Sequence, residues 1–393
     1  MIECFRKFML FLSKRFLFPR YVRHIKNTCQ VHENEIVFIS RPDYSDNALA
    51  FYEYLKSDER FSNYKIYWAV SSNCKEGKEF ENVKLYRNSG LISYKSLKLI
   101  MCAKYLFSTH DFVFPKSKSL QGQVYVMLWH GCGYKDKPSK TTSHNFDWAC
   151  VPGPLFVKTK AKSWNVSESK FIAKGYPRYD WMLQKSESAE RMALRIKGNP
   201  LQKLVIWMPT FRNSVVNKNT QENAITQFPL MSDAESWERL DLYCEKRGIK
   251  LLIKLHAVQK SYDIDFSKLK MISLLTNSDF NRFGVQMYQF LAYSDALISD
   301  YSSIAVDYLI LDKPIAFALD DFEQYKKLRG FVFDDPREYM PGHHMYSQED
   351  LFAFLDDVAN GVDPYKDARK KMMSEGLYLS TSYCKDLADN LGL

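Results

Sequence analysis

The sequence predicts an α/β protein: two doubly wound domains facing each other across a cleft, with C-terminal helices and an N-terminal basic amphipathic helix. Three observations carry that expectation. The chain has 393 residues, more than one hydrophobic core usually supports. Short apolar runs alternate with helical patterns in each half, as in parallel sheets covered on both faces. Between the halves lies a polar, charged stretch, Gln184–Gln202, broken by Gly198-Asn199-Pro200, which reads as the linker.

In the first half the strand candidates are Glu35–Ser40, Lys65–Val70, Val83–Arg87, Tyr105–Thr109, Val124–His130, Asp147–Pro152 and Phe171–Lys174. Helical patterns at Asn47–Lys56, Leu91–Ala103 and Pro154–Trp164 separate them. In the second half, strands are expected at Leu204–Pro209, Lys250–His256, Met271–Thr276, Ala296–Asp300 and Pro314–Leu319. Helices are expected near Asp233–Arg247, Gly284–Tyr293 and Ser303–Leu311, and the tail from Ser347 reads helical, most clearly at Asp350–Val358. The expected units are therefore 1–30, a basic amphipathic segment; 31–185 and 201–346, the two α/β domains; and 347–393, the C-terminal helices. In such a pair, ligands bind in the cleft at the carboxyl ends of the strands.

The formal net charge is +9, which favours anionic partners. The first segment concentrates this charge. Arg6, Lys7, Lys14, Arg15, Arg20, Arg23 and Lys26 alternate with Phe5, Phe8, Phe11, Phe16 and Phe18, and Glu3 stands as its acid. Basic residues interrupt the apolar stretch and no small-residue cleavage site follows, so a signal peptide fits poorly. An amphipathic helix on an anionic membrane surface is the expectation, against a helix packed on the protein's own core. No run approaches the ~18 apolar residues of a membrane span. None of the 8 cysteines is spaced as CxxC, so they read as reduced thiols of a cytoplasmic protein. Nucleic acid is not an expected partner, because the basic residues do not interleave with aromatics along a groove.

Four strand ends carry chemistry. The first reads Trp129-His130-Gly131-Cys132-Gly133, a histidine followed by glycines that let the backbone approach a ligand. A neutral imidazole there can take a proton from a hydroxyl. The second, Met208-Pro209-Thr210-Phe211-Arg212, offers a hydroxyl and a guanidinium suited to phosphate. The third is Ile253-Lys254-Leu255-His256, where alternation puts Lys254 and His256 on one side. The fourth, Ser299-Asp300-Tyr301-Ser302-Ser303, opens a helix through Ile304, Val306, Asp307, Leu309 and Ile310, and a helix N-terminus attracts phosphate. Each has an ordinary alternative: a hydrogen-bonded histidine, a surface salt bridge, an N-cap. Four such ends across two domains weigh against coincidence. Arg178 and Arg329 are secondary candidates, with a structural salt bridge as the alternative. Adjacent His343 and His344, near Asp334 and Asp335, raise a metal reading that neighbouring loop histidines rarely satisfy.

The strings WHG at Trp129–Gly131, GYPRYD at Gly175–Asp180, PTFR at Pro209–Arg212, IKLH at Ile253–His256, SDYSSIAVDY at Ser299–Tyr308, KPI at Lys313–Ile315 and RGFVFD at Arg329–Asp334 occur in this order. Together they resemble the CDP-glycerol glycerophosphotransferase family of teichoic acid and capsule polymer synthesis. The resemblance implies two Rossmann-like domains in a GT-B-like arrangement, with transfer of glycerol phosphate from CDP-glycerol to a hydroxyl and release of CMP. It maps the family's two key histidines onto His130 and His256, and its diphosphate loop onto Asp300, Tyr301, Ser302 and Ser303. Two departures stand out: Cys132-Gly133-Tyr134-Lys135 follows the first histidine where Thr, Pro and a basic run are usual, and Ala257 replaces a proline after the second.

The resulting expectation makes His130 the general base and His256 the stabiliser of charge on the transferring phosphate or leaving CMP. Arg212, Thr210, Asp300, Ser302 and Ser303 hold the donor's phosphates, with Gly131, Arg178, Lys254, Tyr301 and Arg329 in secondary places. No metal is required, with soluble Mg²⁺ as an optional aid. The expected partners are CDP-glycerol or CDP-ribitol, a glycan or lipid-linked polymer acceptor, and the cytoplasmic face of an anionic membrane. Alternatives are ribitol phosphate transfer and a glycosyltransferase of the same fold using a nucleotide sugar.

Overall fold

The computed structural model describes residues 2–71, 74, 80–85, 89–110, 120–135, 145–210, 228–255 and 264–393. The chain opens with helices α1 (Ile2–Leu12) and α2 (Phe18–Thr28), joined through a π-helical turn at Ser13–Leu17. The first half continues with β1 (His32–Ile39), α3 (Asp46–Ser57), β2 (Lys65–Val70), β3 (Asn82–Lys84), α4 (Tyr94–Cys102), β4 (Ala103–Ser108), β5 (Val124–Met127), β6 (Trp148–Cys150), α5 (Leu155–Trp164), β7 (Phe171–Ile172), α6 (Tyr179–Leu183) and α7 (Glu187–Lys197). The second half contains β8 (Lys203–Trp207), α8 (Ala234–Arg247), β9 (Ile249–Ile253), β10 (Ile272–Leu274), α9 (Asn277–Phe283), α10 (Met287–Leu291), β11 (Ala296–Ser299), α11 (Ser303–Tyr308), β12 (Ile315–Ala318), α12 (Phe322–Leu328), β13 (His343–Met345) and α13 (Gln348–Asn360). Helices α14 (Lys366–Gly376) and α15 (Tyr383–Leu391) follow.

The strands form two sheets, ordered β3-β2-β1-β4-β5-β6-β7 and β10-β9-β8-β11-β12-β13. Every strand pair in both is parallel. This is the doubly wound order, and it reverses direction between β1 and β4 and again between β8 and β11. The residue pattern explains the parallel pairing. In β1, Ile36 and Phe38 enter one apolar cluster and Val37 the opposite one, so both faces are buried and neither tolerates a polar residue. The larger cluster runs without interruption from Phe38 and Phe107 in the first sheet to Ile206 and Leu297 in the second.

Three expectations change. The polar segment read as the linker contains α7, capped by Ser186, whose hydroxyl accepts from Ala189 N–H, and closed at Gly198. Its polarity marks one solvated face; Ala189, Met192 and Ala193 are buried. The helix expected over Gly284–Tyr293 begins only at Met287, because Gly284 closes the preceding helix α9 at φ +62°. The His343–His344 pair lies in a strand, not a loop: His343 Nε2 pairs with Asp357 at 3.1 Å and His344 Nε2 with the Met340 carbonyl at 2.9 Å. Among the described residues, no group of three or more His, Cys, Asp or Glu is placed to hold a metal ion.

The N-terminal segment packs on the protein along part of its length and leaves the rest exposed. In α2, Phe18, Val22 and Ile25 are buried against α4, and Ser13 Oγ accepts the Ile92 N–H at 3.1 Å. Spacing of four and three residues puts those apolar side chains on one stripe. Helix α1 instead leaves Phe5, Phe8, Phe11 and the adjoining Phe16 exposed by 57–62%, among exposed Arg6, Lys7, Lys14 and Arg15. No helix among the described residues is long and apolar enough to cross a membrane.

The C-terminal helices return to the first half. Asp180 accepts the N–H groups of Tyr383 at 2.6 Å and Cys384 at 3.1 Å, which satisfies the open end of α15. Pro152 accepts from Tyr378 N–H at 3.0 Å, and here the two backbones touch. A Cβ on Gly153 would stand 2.4 Å from Leu377 Cα and 2.5 Å from the Gly376 carbonyl oxygen. Backbone cannot yield as a side-chain tip can. Gly153→Ala should therefore cost about 1–3 kcal/mol and expose the 376–378 amides; thermal unfolding and amide exchange of the variant measure both.

Candidate active site

The site is built at the carboxyl ends of strands at or beside the point where each strand order reverses, β1/β4 in the first half and β8/β11 in the second. In the first half, β4 runs out through Thr109 to His110, and its neighbour β5 runs out to Trp129-His130-Gly131. Regular pairing stops at Met127 because Trp129 takes φ +60° and Gly131 φ +137°. Glycine accepts its value freely, whereas for a bulky residue such as Trp129 this is a strained conformation that the surroundings must impose. The reversal delivers His130 to the strand-end face. Its Nδ1 lies 2.9 Å from the Thr109 carbonyl. A carbonyl only accepts, so Nδ1 carries the hydrogen and Nε2 of the neutral ring keeps its lone pair. His110 stacks on this ring with centroids 4.3 Å apart and planes 9° apart, and Trp129 lies 4.0 Å away on centroids. Burial, and then the neighbouring His110, hold the His130 imidazole down to about 3. Burial likewise lowers His110.

In the second half, the same kind of reversal separates β8 from β11, and Asp300 straddles it. Its carboxylate accepts Thr210 N–H at 2.8 and 3.0 Å, Thr210 Oγ1–H at 2.6 Å and Ser302 N–H at 3.2 Å. Asp300 is fully buried and Thr210 nearly so. The carboxylate thus ties the end of β8 to the turn after β11, and the Thr210 hydroxyl is directed at Asp300. Tyr301 is also fully buried, donating to Asp321 Oδ1 at 2.9 Å and stacked on Tyr325. Donor-phosphate contacts were expected of Asp300 and Thr210, and a nearby place of Tyr301. In the structure all three are buried and bonded to neighbouring protein groups. Ser302 and Ser303 differ. They are half-buried at the start of α11, and the Ser302 side chain makes no capping bond.

The two reversals touch. A Cβ on Gly131 would lie 2.4 Å from Ser303 Oγ, and one on Gly133 2.8 Å from Ser303 N. Glycine at both positions therefore lets the turn after His130 lie flat on the start of α11. The same stretch continues along the second half: Tyr134 O accepts from Val332 N–H at 2.9 Å, Lys135 pairs with Phe331, and Tyr134 Oη donates to the Tyr339 carbonyl at 2.9 Å. That pairing gives the 329–334 motif a docking role.

Arg178 is 1% exposed and donates to Asp46 Oδ1 at 2.5 Å and Asp307 Oδ2 at 2.6 Å, so the salt-bridge alternative holds for it. Burial raises the Asp307 carboxyl above its ordinary range, an effect the facing guanidinium and the Tyr179 and Tyr288 hydroxyls offset in part. Burial also opposes the Arg178 charge, while the two carboxylates hold its guanidinium above its ordinary value. Lys254 follows β9 half-buried, its ammonium value lowered by burial, with Nζ 3.4 Å from the Leu255 carbonyl. Arg329 directly follows α12 as its C-terminal cap. His256 and Arg212 lie outside the described residues. Thus His130, Gly131, Arg178, Ser302 and Ser303 come together, with Thr210 and Asp300 behind them.

The sequence reading passed over four residues here: His110, Asn47, Asp307 and Lys160, whose Nζ lies 5.2 Å from the Trp129 ring centroid and 5.0 Å from that of Trp164. Two were signalled. His110 directly follows an expected strand, and Asp307 is an acid among the apolar residues of the α11 pattern.

A sequence profile of the CDP-glycerol:poly(glycerophosphate) glycerophosphotransferases matches residues 21–379. A teichoic acid poly(glycerol phosphate) polymerase of Bacillus spizizenii is 27% identical over 334 residues, covering 77% of this chain and 78% of that one. A teichoic acid glycerol-phosphate transferase of Staphylococcus aureus is 26% identical, covering 83% and 84%. A teichoic acid ribitol-phosphate primase of Bacillus spizizenii is also 26% identical, covering 79% of each. The fold superposes on the wall teichoic acid polymerase TagF with a TM-score of 0.72 at 21% identity, over 96% of this chain and 95% of that one. That likeness shows a GT-B fold. With the profile spanning nearly the whole chain, the protein belongs to the CDP-glycerol:poly(glycerophosphate) glycerophosphotransferase family.

Proposed function

We propose that this chain transfers glycerol phosphate from CDP-glycerol to a hydroxyl of a glycan or polyol-phosphate acceptor in teichoic acid synthesis, with His130 as general base. The transferase class and the glycerophosphate chemistry are those of its family. The observation that carries the role of His130 is its unshared Nε2, fixed by the bond from Nδ1 to Thr109 O, beside the start of α11.

In the proposed step, the acceptor oxygen attacks the phosphorus that bears glycerol. A bond forms from that oxygen to phosphorus, and the bond from phosphorus to the bridging oxygen breaks. The hydroxyl proton passes to His130 Nε2, and CMP leaves with the electron pair of the broken bond. Ser302, Ser303 and the N–H groups opening α11 meet the donor's diphosphate, where a helix start favours anions. On motif grounds Arg212 joins them, and His256 stabilises charge on the transferring phosphate or on CMP. These groups supply the charge stabilisation, so the step calls for no metal, with Mg²⁺ as an aid. The relatives include ribitol-phosphate as well as glycerol-phosphate enzymes at equal identity, so CDP-ribitol is the second donor to test.

We also place the protein on the cytoplasmic face of the membrane through α1. Its exposed Phe5, Phe8 and Phe11, with Phe16 in the turn that follows, offer an apolar face, and the exposed Arg6, Lys7, Lys14 and Arg15 of the same stretch suit anionic headgroups. Helix α2, seated on α4, would fix the orientation of the rest.

Four outcomes are expected. Purified protein given either CDP-polyol or a nucleotide sugar, with teichoic acceptors and with EDTA or Mg²⁺, should release CMP from CDP-glycerol only when acceptor is present. His130→Ala and His256→Ala should each lower that rate by about 10²–10⁴-fold; a folded variant retaining over a tenth of it removes the role from that histidine. Because burial keeps His130 unprotonated down to about 3, kcat/KM should stay level as pH falls through 6.5, where an ordinary imidazole would lose its basic form. An acid limb at 6.5 would show that His130 titrates normally in the free enzyme. Finally, replacing Phe5, Phe8 and Phe11 by Ser should release the protein from vesicles containing anionic lipid, and unchanged sedimentation would move the anchor away from α1.

A further inference from the structure

Three consecutive carbonyls form the turn that presents His130, and one pair of side chains holds all three. Asn47 Nδ2 donates to Leu128 O at 3.3 Å and to Trp129 O at 2.9 Å, and Arg178 Nη1 donates to His130 O at 3.2 Å. The pair is itself joined, since Arg178 N–H donates to Asn47 Oδ1 at 3.2 Å. Asn47 is fully buried and Arg178 nearly so, so no water competes for these bonds. The Trp129 backbone, at φ +60°, needs such a grip, because a bulky residue stays there only when its surroundings over-determine it.

The other arm of Arg178 belongs to the second half. Nη2 reaches Asp307 Oδ2 on α11, four residues beyond Ser303, and Asp307 also accepts from Tyr179 and from Tyr288 on α10. The guanidinium further lies 4.3 Å from the Tyr288 ring. Net stability explains this arrangement poorly, because buried ion pairs seldom outperform apolar packing of the same volume. A planar fork with two fixed arms does explain it: one arm senses the turn that carries the base, the other senses α11.

We propose that Asn47 and Arg178 are positioning residues for His130, and that Asp307 makes their grip conditional on α11 being seated, so that the base is aligned only when Ser302 and Ser303 are in place. This rests on His130 being the base. The titratable and charged groups facing His130 among the described residues are His110 beyond β4, Asp46 at the start of α3, and Arg178.

The test compares wild type, His130→Ala, Asn47→Ala, Arg178→Lys, Asp307→Asn and the Asn47→Ala/Asp307→Asn double variant in CMP release, alongside thermal unfolding. Misplacing a base by about 1 Å costs about 10²-fold, so each single variant should lose kcat on that order while KM for the donor stays within about threefold. Arg178→Lys keeps the charge opposite Asp307 but not the fork. It should therefore behave as a loss, whereas charge neutralisation alone would leave it near wild type. The double variant should lose less than the product of the single losses, since Asn47 directly and Asp307 through Arg178 act on the same turn. Loosening the turn also admits water to the ring, so NMR titration of the His130 ring protons should show a higher midpoint in Asn47→Ala than in wild type; this reading needs no turnover. If Arg178 and Asp307 variants fail to fold, Asn47→Ser, which leaves the ion pair whole, gives the same two readouts. Variants that melt earlier yet keep kcat within about threefold and an unmoved His130 titration overturn the proposal. An active His130→Ala removes the base assignment instead, whatever the clamp variants do.

Discussion

One guanidinium between two carboxylates sets the spacing of the whole molecule. Arg178 comes from the first half and is bonded there to Asp46, while its second arm ends on Asp307 of the second half. Neither Arg178 nor Asp307 reaches water, and a desolvated charge left without its partner costs several kcal/mol. The halves therefore have one inexpensive arrangement. In it, Gly131 and Gly133 lie against Ser303 with no room for a methyl group, and the stretch after them pairs with Phe331. Asp180, two residues beyond Arg178, fixes the start of α15 through its N–H groups. A six-residue motif thus holds both the interface and the returning C-terminal helix.

Parallel sheets explain why polar residues collect at this interface. Within the strands, both faces are buried, so side chains such as Ile36, Phe38, Leu297 and Ile298 cannot vary in polarity. Past the last paired residue the constraint ends, and open backbone groups at strand ends need partners. Asp300 meets that need in the second half by accepting from Thr210 and Ser302, and Asn47 meets it in the first by donating to Leu128 and Trp129. In each half one buried polar side chain thus holds backbone at a strand end, leaving His130 in the first half and half-buried Ser302 and Ser303 in the second at the site.

Much of this was legible from the sequence, for reasons that also mark the limits. Strands buried on both faces produce apolar runs that no other element mimics at that length, so Lys65–Val70 has the bounds expected of it. Helix ends were less legible. Gly284 fits equally as the start of one helix or the stop of another, and only the position of Phe280 inside the core decides it. For the site, residue type announced His130, Ser302 and Ser303, but it did not announce which way a side chain points. Asp300, Thr210 and Tyr301 sit within the same motifs and turn inward. Asn47 was invisible, because its partners are carbonyls more than eighty residues away along the chain, and a backbone carbonyl carries no residue signature.

The low value imposed on His130 looks at first like a poor endowment for a base, since proton acceptance is most effective when the pKa lies near the working pH. The surroundings account for it: burial removes water from the ring, the stacked His110 adds to the cost of charge, and Asp46 offsets only part of this. None of these groups would be alone once a diphosphate donor arrives. Negative charge within a few ångströms favours the imidazolium and raises its pKa, and in a site screened from water that influence is strong. On the proposed role of His130, the depressed value keeps the ring unprotonated in the free enzyme at any physiological pH. The donor's own charge then raises its basicity in the complex that contains the substrate. The same logic makes the fixed Nδ1 bond to Thr109 important, because a ring free to rotate would exchange its two nitrogens and lose the acceptor that the step requires.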